Sequence, residues 1–346
     1  MVGSSTRRAC PGGRRLPQWP RLRRARLSKR RRFWVTVALA LVLTGALVWR
    51  QSGPGEPEYD GRTLTEWLYP TEPDFEWIPN DLYGHIHDEF LAQLESGEPW
   101  TSPNADAGLA SPDGSPRRAA LRSLGTNALP WLFDWMASRP RPTERLREFV
   151  HRKFALPLFH PSSLSPVERR HVAAFDGFAE LGALAEPALP ALSNLLNQPN
   201  PDLPLAWAIA CIGPKGIAVL TNALSHRRRD IRDLAALSLG LEGSAATSAV
   251  PALLTLIDQG EASYHVLGAL GRIGCEPARA APVLRRHLER IARGDADDPF
   301  SMTVLLLGLC GDEAKPAVPR LLTLYEQADS AERAAIRQAL NRIEPR

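Results

Sequence analysis

A five-residue string, Leu-Gly-x-x-Gly, recurs at Leu239–Gly243, Leu270–Gly274 and Leu307–Gly311. After each second glycine a proline follows eight residues on (Pro251, Pro282, Pro319) and a leucine ten on (Leu253, Leu284, Leu321). An internal repeat of this period fixes architecture first, because each unit is one supersecondary element that buries its apolar face only against its neighbours. Gly182 shares the pattern through Pro190, and Gly213 shares it with a shorter turn. The stops Gly182, Gly213, Gly243, Gly274 and Gly311 are spaced 31, 30, 31 and 37 residues apart, and Gly125 marks an earlier one.

Each unit reads as a first helix, a glycine stop and a second helix. Four residues before the glycine stands a large apolar residue (Phe178, Ile209, Leu239, Leu270, Leu307). Three before it stands a small one (Ala179, Ala210, Gly240, Gly271, Gly308), which lets a neighbouring helix approach closely. The stop glycine is free to take the left-handed conformation that ends a helix. Pro190, Pro251, Pro282 and Pro319 then fall in the first turn of the second helix, where the missing N–H is harmless. The 57 residues from Gly125 to Gly182 hold two units, the second degenerate around Arg145–Val150. The last helix spans 331–343 and carries a polar face (Glu332, Arg333, Arg337, Gln338) that suits a C-terminal cap.

The ends of the chain read differently. The net charge of +4 misleads, because twelve of the 42 Lys and Arg lie in residues 1–32, which hold no acid. The remaining 30 cations face 38 acids, a net of −8, so the folded part is acidic and no nucleic-acid partner is expected. Residues 1–32 predict a disordered basic tail. Residues 33–49 are 17 residues without a charge, with Trp34 and Trp49 at the ends, and predict a transmembrane signal-anchor helix. A cleaved signal peptide is the alternative, against a long n-region and no A-x-A site. The cations place the N-terminus in the cytoplasm and the rest outside, with the lipid bilayer as one partner.

Residues 50–116 read as a linker and an aromatic-rich N-terminal cap with a flexible loop, and 117–346 as the repeat array. Thr63 and Glu66 predict a capping box. His85-Ile86-His87 has poor metal spacing for a helix. The three cysteines beyond the tail (Cys211, Cys275, Cys310) lack a CxxC, and their odd number speaks against a disulfide framework or zinc. They read as small residues at helix ends.

The two-helix unit with LGxxG, then A-V-P-x-L-L, resembles the short bacterial HEAT repeats. Ile231-Arg232-Asp233-Leu234-Ala235 is similar to the V-R-x-x-A start of a HEAT first helix, and Arg118-Ala119-Ala120 and Arg333-Ala334-Ala335 echo it. Tyr59–Leu68 (Y-x-G-x-x-L-x-x-W-L) resembles a leader before such repeats in membrane-anchored bacterial HEAT-repeat proteins. The resemblance implies an all-α fold, a HEAT/armadillo-like α-α superhelix or solenoid, preceded by one transmembrane helix in a bacterial inner membrane. It also implies a scaffold that binds proteins through a concave face of second helices.

Catalytic signatures do not occur: there is no G-x-S-x-G, P-loop, HExxH or strand-borne GxGxxG, so neither enzyme activity nor a cofactor is expected. The alternative is a small-ligand or enzymatic site built on the aromatic segment, around Trp67, Trp77 and Trp100. Two basic clusters remain. His226-Arg227-Arg228-Arg229-Asp230 falls in a turn between units. On the second helix after Gly274, Arg285, Arg286, Arg290 and Arg293 are crowded, with the last three on one face, a candidate patch for an acidic protein partner.

Overall fold

Aspartate followed by glycine between extended residues favours the tightest hairpin. The computed structural model, which describes residues 55–68, 116–139, 166–294 and 299–345, shows that hairpin at its start. Strands β1 (Glu58–Tyr59) and β2 (Arg62–Thr63) pair antiparallel around Asp60 and Gly61, both at positive φ (52° and 70°). Helix α1 (Leu64–Leu68) follows with the expected capping box. The Thr63 N–H donates to Glu66 Oε2 at 2.7 Å, and the Glu66 N–H donates to Thr63 Oγ1 at 3.3 Å. Among the described residues this is the one sheet; everything else is helical or connects helices. No helix among them is long and apolar enough to cross a membrane. The apolar run 33–49, the segment around Trp77 and Trp100, His85-Ile86-His87 and the degenerate unit all lie outside the described residues.

The first helices of the units are α2 (Pro116–Leu124), α4 (Pro166–Leu181), α6 (Leu203–Cys211), α8 (Arg229–Leu241), α10 (Tyr264–Ile273), α12 (Phe300–Leu309) and the terminal α14 (Ser330–Ile343). The second helices are α3 (Leu129–Met136), α5 (Leu189–Leu196), α7 (Pro214–Ala223), α9 (Val250–Asp258), α11 (Pro277–Ala292) and α13 (Val318–Gln327). Packing follows chain order. From α4 onward each first helix lies on the next first helix, and α9 lies on α11. The leader packs through buried Leu64 and Leu68, with α1 against α2 and α4, and so covers the first of the described units.

All six stop glycines have positive φ, and they fall into two kinds. Gly125, Gly182, Gly243 and Gly311 lie at 52° to 56° and open a 3₁₀ segment. Gly213 and Gly274 lie at 100° and 95°, and a proline-led helix follows at Pro214 or Pro277. The 3₁₀ segments 182–188, 243–249 and 311–317 share a pattern, glycine with alanine three and six residues on. In a 3₁₀ helix residues three apart eclipse, so Ala185 and Ala188, Ala246 and Ala249, and Ala314 and Ala317 all turn inward and are buried.

The expected proline position holds at Pro190, Pro251 and Pro319, each in the first turn of its helix. Pro282 does not follow it. Helix α11 starts five residues earlier, at Pro277, and Pro282 lies inside it. The reason is local: Pro277 is already set for the first turn, so an α-turn takes the place of the 3₁₀ segment and the helix runs on.

The small residues before the stops do what close packing requires. A Cβ on Gly240 would stand 3.0 Å from Ala269 Cα, and one on Gly308 would stand 2.9 Å from Ala339 Cα. The further contacts match as well: the Cβ of the same alanine at 3.4 Å or 3.2 Å, then Cδ of Arg272 or of Arg342 at 3.6 Å. Polar contacts repeat at the unit length as well: His171 with Asp202, Glu186 with Lys215, Cys211 with Glu242, Arg232 with Glu261, and Glu289 with Arg320. An arginine near the start of a first helix ties down the segment before it, the turn after α7 for Arg232 and the last turn of α13 for Arg333. Arg232 donates to the carbonyls of His226 (2.9 Å) and Arg227 (3.2 Å), and Arg333 to those of Tyr325 (3.1 Å) and Glu326 (3.3 Å).

Candidate interaction surface

Helix α11 is built to turn one face in and another out. Ala280, Ala281, Leu284, His287 and Leu288 are buried, while Arg285, Arg286 and Arg293 are exposed and Arg290 is half-buried. The face expected to be a uniform basic patch divides into separate tasks. Arg290 reaches back to the end of α9, donating to the carbonyls of Ile257 and Asp258, the latter at 2.6 Å. These are last-turn carbonyls, and that of Ile257 also accepts from the Gly260 N–H at 3.2 Å. Arg286 Nε donates to Asp258 Oδ1 at 2.9 Å, and this bond, opposed by some burial, holds the Asp258 carboxyl below its ordinary pKa. Arg293 Nε folds onto the Glu289 carbonyl at 3.2 Å. Arg285 lines a shallow cleft with Pro282, Glu313 and Pro316, where α11 meets the following 3₁₀ segment. Its volume, about 70 Å³, is far below the roughly 300–1,000 Å³ of small-molecule sites.

Arg290 is therefore a clamp between units more than a recognition group. Replacing it with alanine leaves the end of α9 without its charged donors and is expected to cost about 2 kcal/mol in urea unfolding. Arg285→Ala, with an exposed head, is expected to change stability by less than about 0.5 kcal/mol. Equal effects from the two substitutions would refute this division.

The other basic run also serves the fold. In His226–Asp230 the Arg228 N–H donates to His226 Nδ1 at 3.1 Å, and its guanidinium donates to the Gln198 carbonyl at 2.9 Å and to Asp230. It closes the turn between α7 and α8 and ties it to the previous unit. Trp67 is occupied within the leader: its ring N–H donates to the Tyr59 carbonyl at 3.1 Å, and the Arg62 guanidinium lies 5.1 Å from its ring centroid. Among the described residues no three His, Cys, Asp or Glu side chains come together to hold a metal.

One charged cluster was not foreseen. Asp176 and Glu180, one turn apart on α4, are buried against Arg117 and Arg118 of α2. Arg117 Nη2 is 2.8 Å from Asp176 Oδ2, and Arg118 Nε is 3.8 Å from Glu180 Oε2. Burial pushes the Asp176 carboxyl up to about 6 despite Arg117, with Glu180 adding to the rise. Such a value is common at catalytic acids. Here the side chain is only 4% exposed and faces its arginine partner, so a substrate has no path to it. His287, inside α11, is pushed down to about 4 by burial and then by Arg290, which makes it neutral at pH 7. Burial opposes the charge of His171 too, yet the bond and charge of Asp202, with the Ser138 carbonyl, hold its pKa above the ordinary value.

Comparison with known proteins adds no family to this picture. No family model matches the chain, and no curated protein matches it.

Proposed function

We propose that the chain is a membrane-anchored HEAT-repeat scaffold whose α-solenoid lies outside the bacterial cytoplasmic membrane and binds a protein partner. The observation that carries this reading is where the polar groups go. Many of the described arginines and carboxylates, and His171, pair with a neighbouring unit, which supports reading these clusters as staples. A chain that invests its charge in holding successive units together is built to present a surface. The recurring glycine, alanine and arginine contacts support the HEAT-type stacking, and the uncharged run 33–49 behind twelve cations supports the anchor. The second helices supply the working face in this reading, with Arg285 and Arg293 as the exposed cations of α11 offered to an acidic partner. Fold alone does not fix function.

The test uses the full-length chain in its own membrane. A photo-crosslinking residue at position 285 or 293 is expected to give one discrete adduct, and the same group at Arg337 on α14 to give none. Charge reversal at both Arg285 and Arg293 is expected to abolish the adduct formed from a neighbouring exposed site, Pro282. Adducts of equal yield from positions 285 and 337, or none from any position, would remove α11 as the working face.

A further inference from the structure

We propose that Cys275 and Cys310 are an oxidisable dithiol that closes into a disulfide joining two consecutive units. Although 35 residues apart, their sulfurs lie 3.9 Å from each other. A disulfide needs roughly 2 Å between them, an approach of about 2 Å. The chain is placed to allow it. Cys275 follows the stop glycine in a non-helical stretch, between Gly274 (φ 95°, ψ 124°) and Glu276 (φ −76°, ψ 103°). Its side chain and backbone can shift without breaking a helical hydrogen bond. Cys310 closes α12, is buried, and also directs its S–H at the Leu306 carbonyl, 3.4 Å away.

The two sulfurs are not equivalent. Cys275 is half-buried and lies within hydrogen-bond reach of the Cys310 sulfur, a contact that favours its thiolate; burial opposes the shift without reversing it. The same contact, then burial, pushes Cys310 up. Cys275, the more accessible of the two and on non-helical backbone, is the attacking sulfur, and the buried Cys310 is the resolving one. The Cys275 thiolate attacks a sulfur of a disulfide-bearing oxidant and expels one thiolate, leaving a mixed disulfide. Cys310 gives its proton to solvent and attacks the Cys275 sulfur, forming the Cys275–Cys310 bond and releasing the second thiolate. The protein loses two electrons and two protons, and the oxidant disulfide becomes two thiols. Cys211 stands apart, its sulfur donating to Glu242 Oε1 at 3.6 Å. Closure in the cell rests on the exported placement proposed above; closure in the test tube does not.

Oxidised glutathione added to the purified full-length chain is the test. The four cysteines of the denatured chain, counted with a mass-tagged maleimide, are expected to fall to two reactive thiols. A proteolytic digest should yield one peptide pair joined through Cys275 and Cys310. Cys275→Ser and Cys310→Ser should each abolish the pair, and Cys211→Ser should leave it intact. The thermal midpoint should rise by about 5 °C on closure. The proposal is overturned if all four thiols stay reactive, if the joined peptides contain Cys10 or Cys211, or if Cys275 stops at the glutathione adduct. Acid-quenched cells separate the two ideas. A disulfide found there supports the exported placement. A dithiol there, with closure in the test tube, keeps the disulfide site and refutes the placement.

Discussion

Alanine at Gly216 is expected to lower stability by about 3 kcal/mol, the upper end of what overpacking costs. The added Cβ would stand 1.8 Å from the carbonyl oxygen of Ile209 and 2.9 Å from its carbonyl carbon. Both are backbone atoms at the end of α6, and neither has a rotamer to escape into. The unit after Gly213 lacks a 3₁₀ segment, so Pro214 starts α7 directly and its first turn rests on the last carbonyls of α6. Only a residue without a side chain fits there. Gly177→Ala is the control. Its Cβ would meet Leu132 Cδ2 at 2.4 Å, but that is the free end of a flexible side chain, so a loss of under about 1.5 kcal/mol is expected. Urea unfolding of the two variants, followed by far-ultraviolet circular dichroism, decides the matter. A Gly216→Ala midpoint within error of the Gly177→Ala midpoint would show that the two helices separate easily.

Arg117→Ala carries the second large effect, about 3 kcal/mol at pH 7, because it leaves a buried carboxylate without its cation. The sign with pH follows from the raised carboxyl. Asp176 titrates near 6 in the fold, against 3.8 for the free side chain. Its stabilising contribution is therefore fully present below 3.8 and is lost as the pH rises to about 6. Removing Arg117 takes away the group that lowers this pKa and extends the window above 6. The gap between wild type and variant should therefore shrink from pH 7 to pH 4.5, where both carry a protonated Asp176. His287 and His171 titrate in both proteins and cancel in the difference. A gap that stays constant across this range would mean that Arg117 acts by packing alone.

The repeat was legible because it is carried by backbone-determining residues. Glycine at positive φ and proline in a first turn act locally, and all six stops and three of four prolines lie where spacing put them. Pro282 was misplaced because Pro277, which the repeat pattern ignores, starts the helix first. The 3₁₀ segments were missed, although alanine three and six residues after glycine is their signal. The charged clusters needed the fold. Six and two residues before the stop, other units carry Trp207 and Cys211, Leu237 and Leu241, or Leu305 and Leu309. Asp176 and Glu180 stand at these positions in α4, and Arg272 at the second of them in α10. A charge at an apolar position of the repeat announces a buried partner, but only the stacking names it as Arg117 or Arg118. The Arg286–Arg290–Arg293 face was found from spacing alone. Its division into clamp and surface depends on the end of α9, 28 to 33 residues away.

Because the arginine clamps tie each described helical unit to its described neighbour, the described helices are mechanically a series of links. A pull between its two ends loads every clamp equally, and the weakest junction yields while the others stay closed. The short-turn junction at Gly213 joins its two helices by backbone contact at Gly216, and the terminal helix is held by its close approach to α12 at Gly308, by the Asp329–Glu332 box and by the Arg333 clamp. Extension under force should thus open the described helices in steps, with the unit around Gly213 among the last to yield.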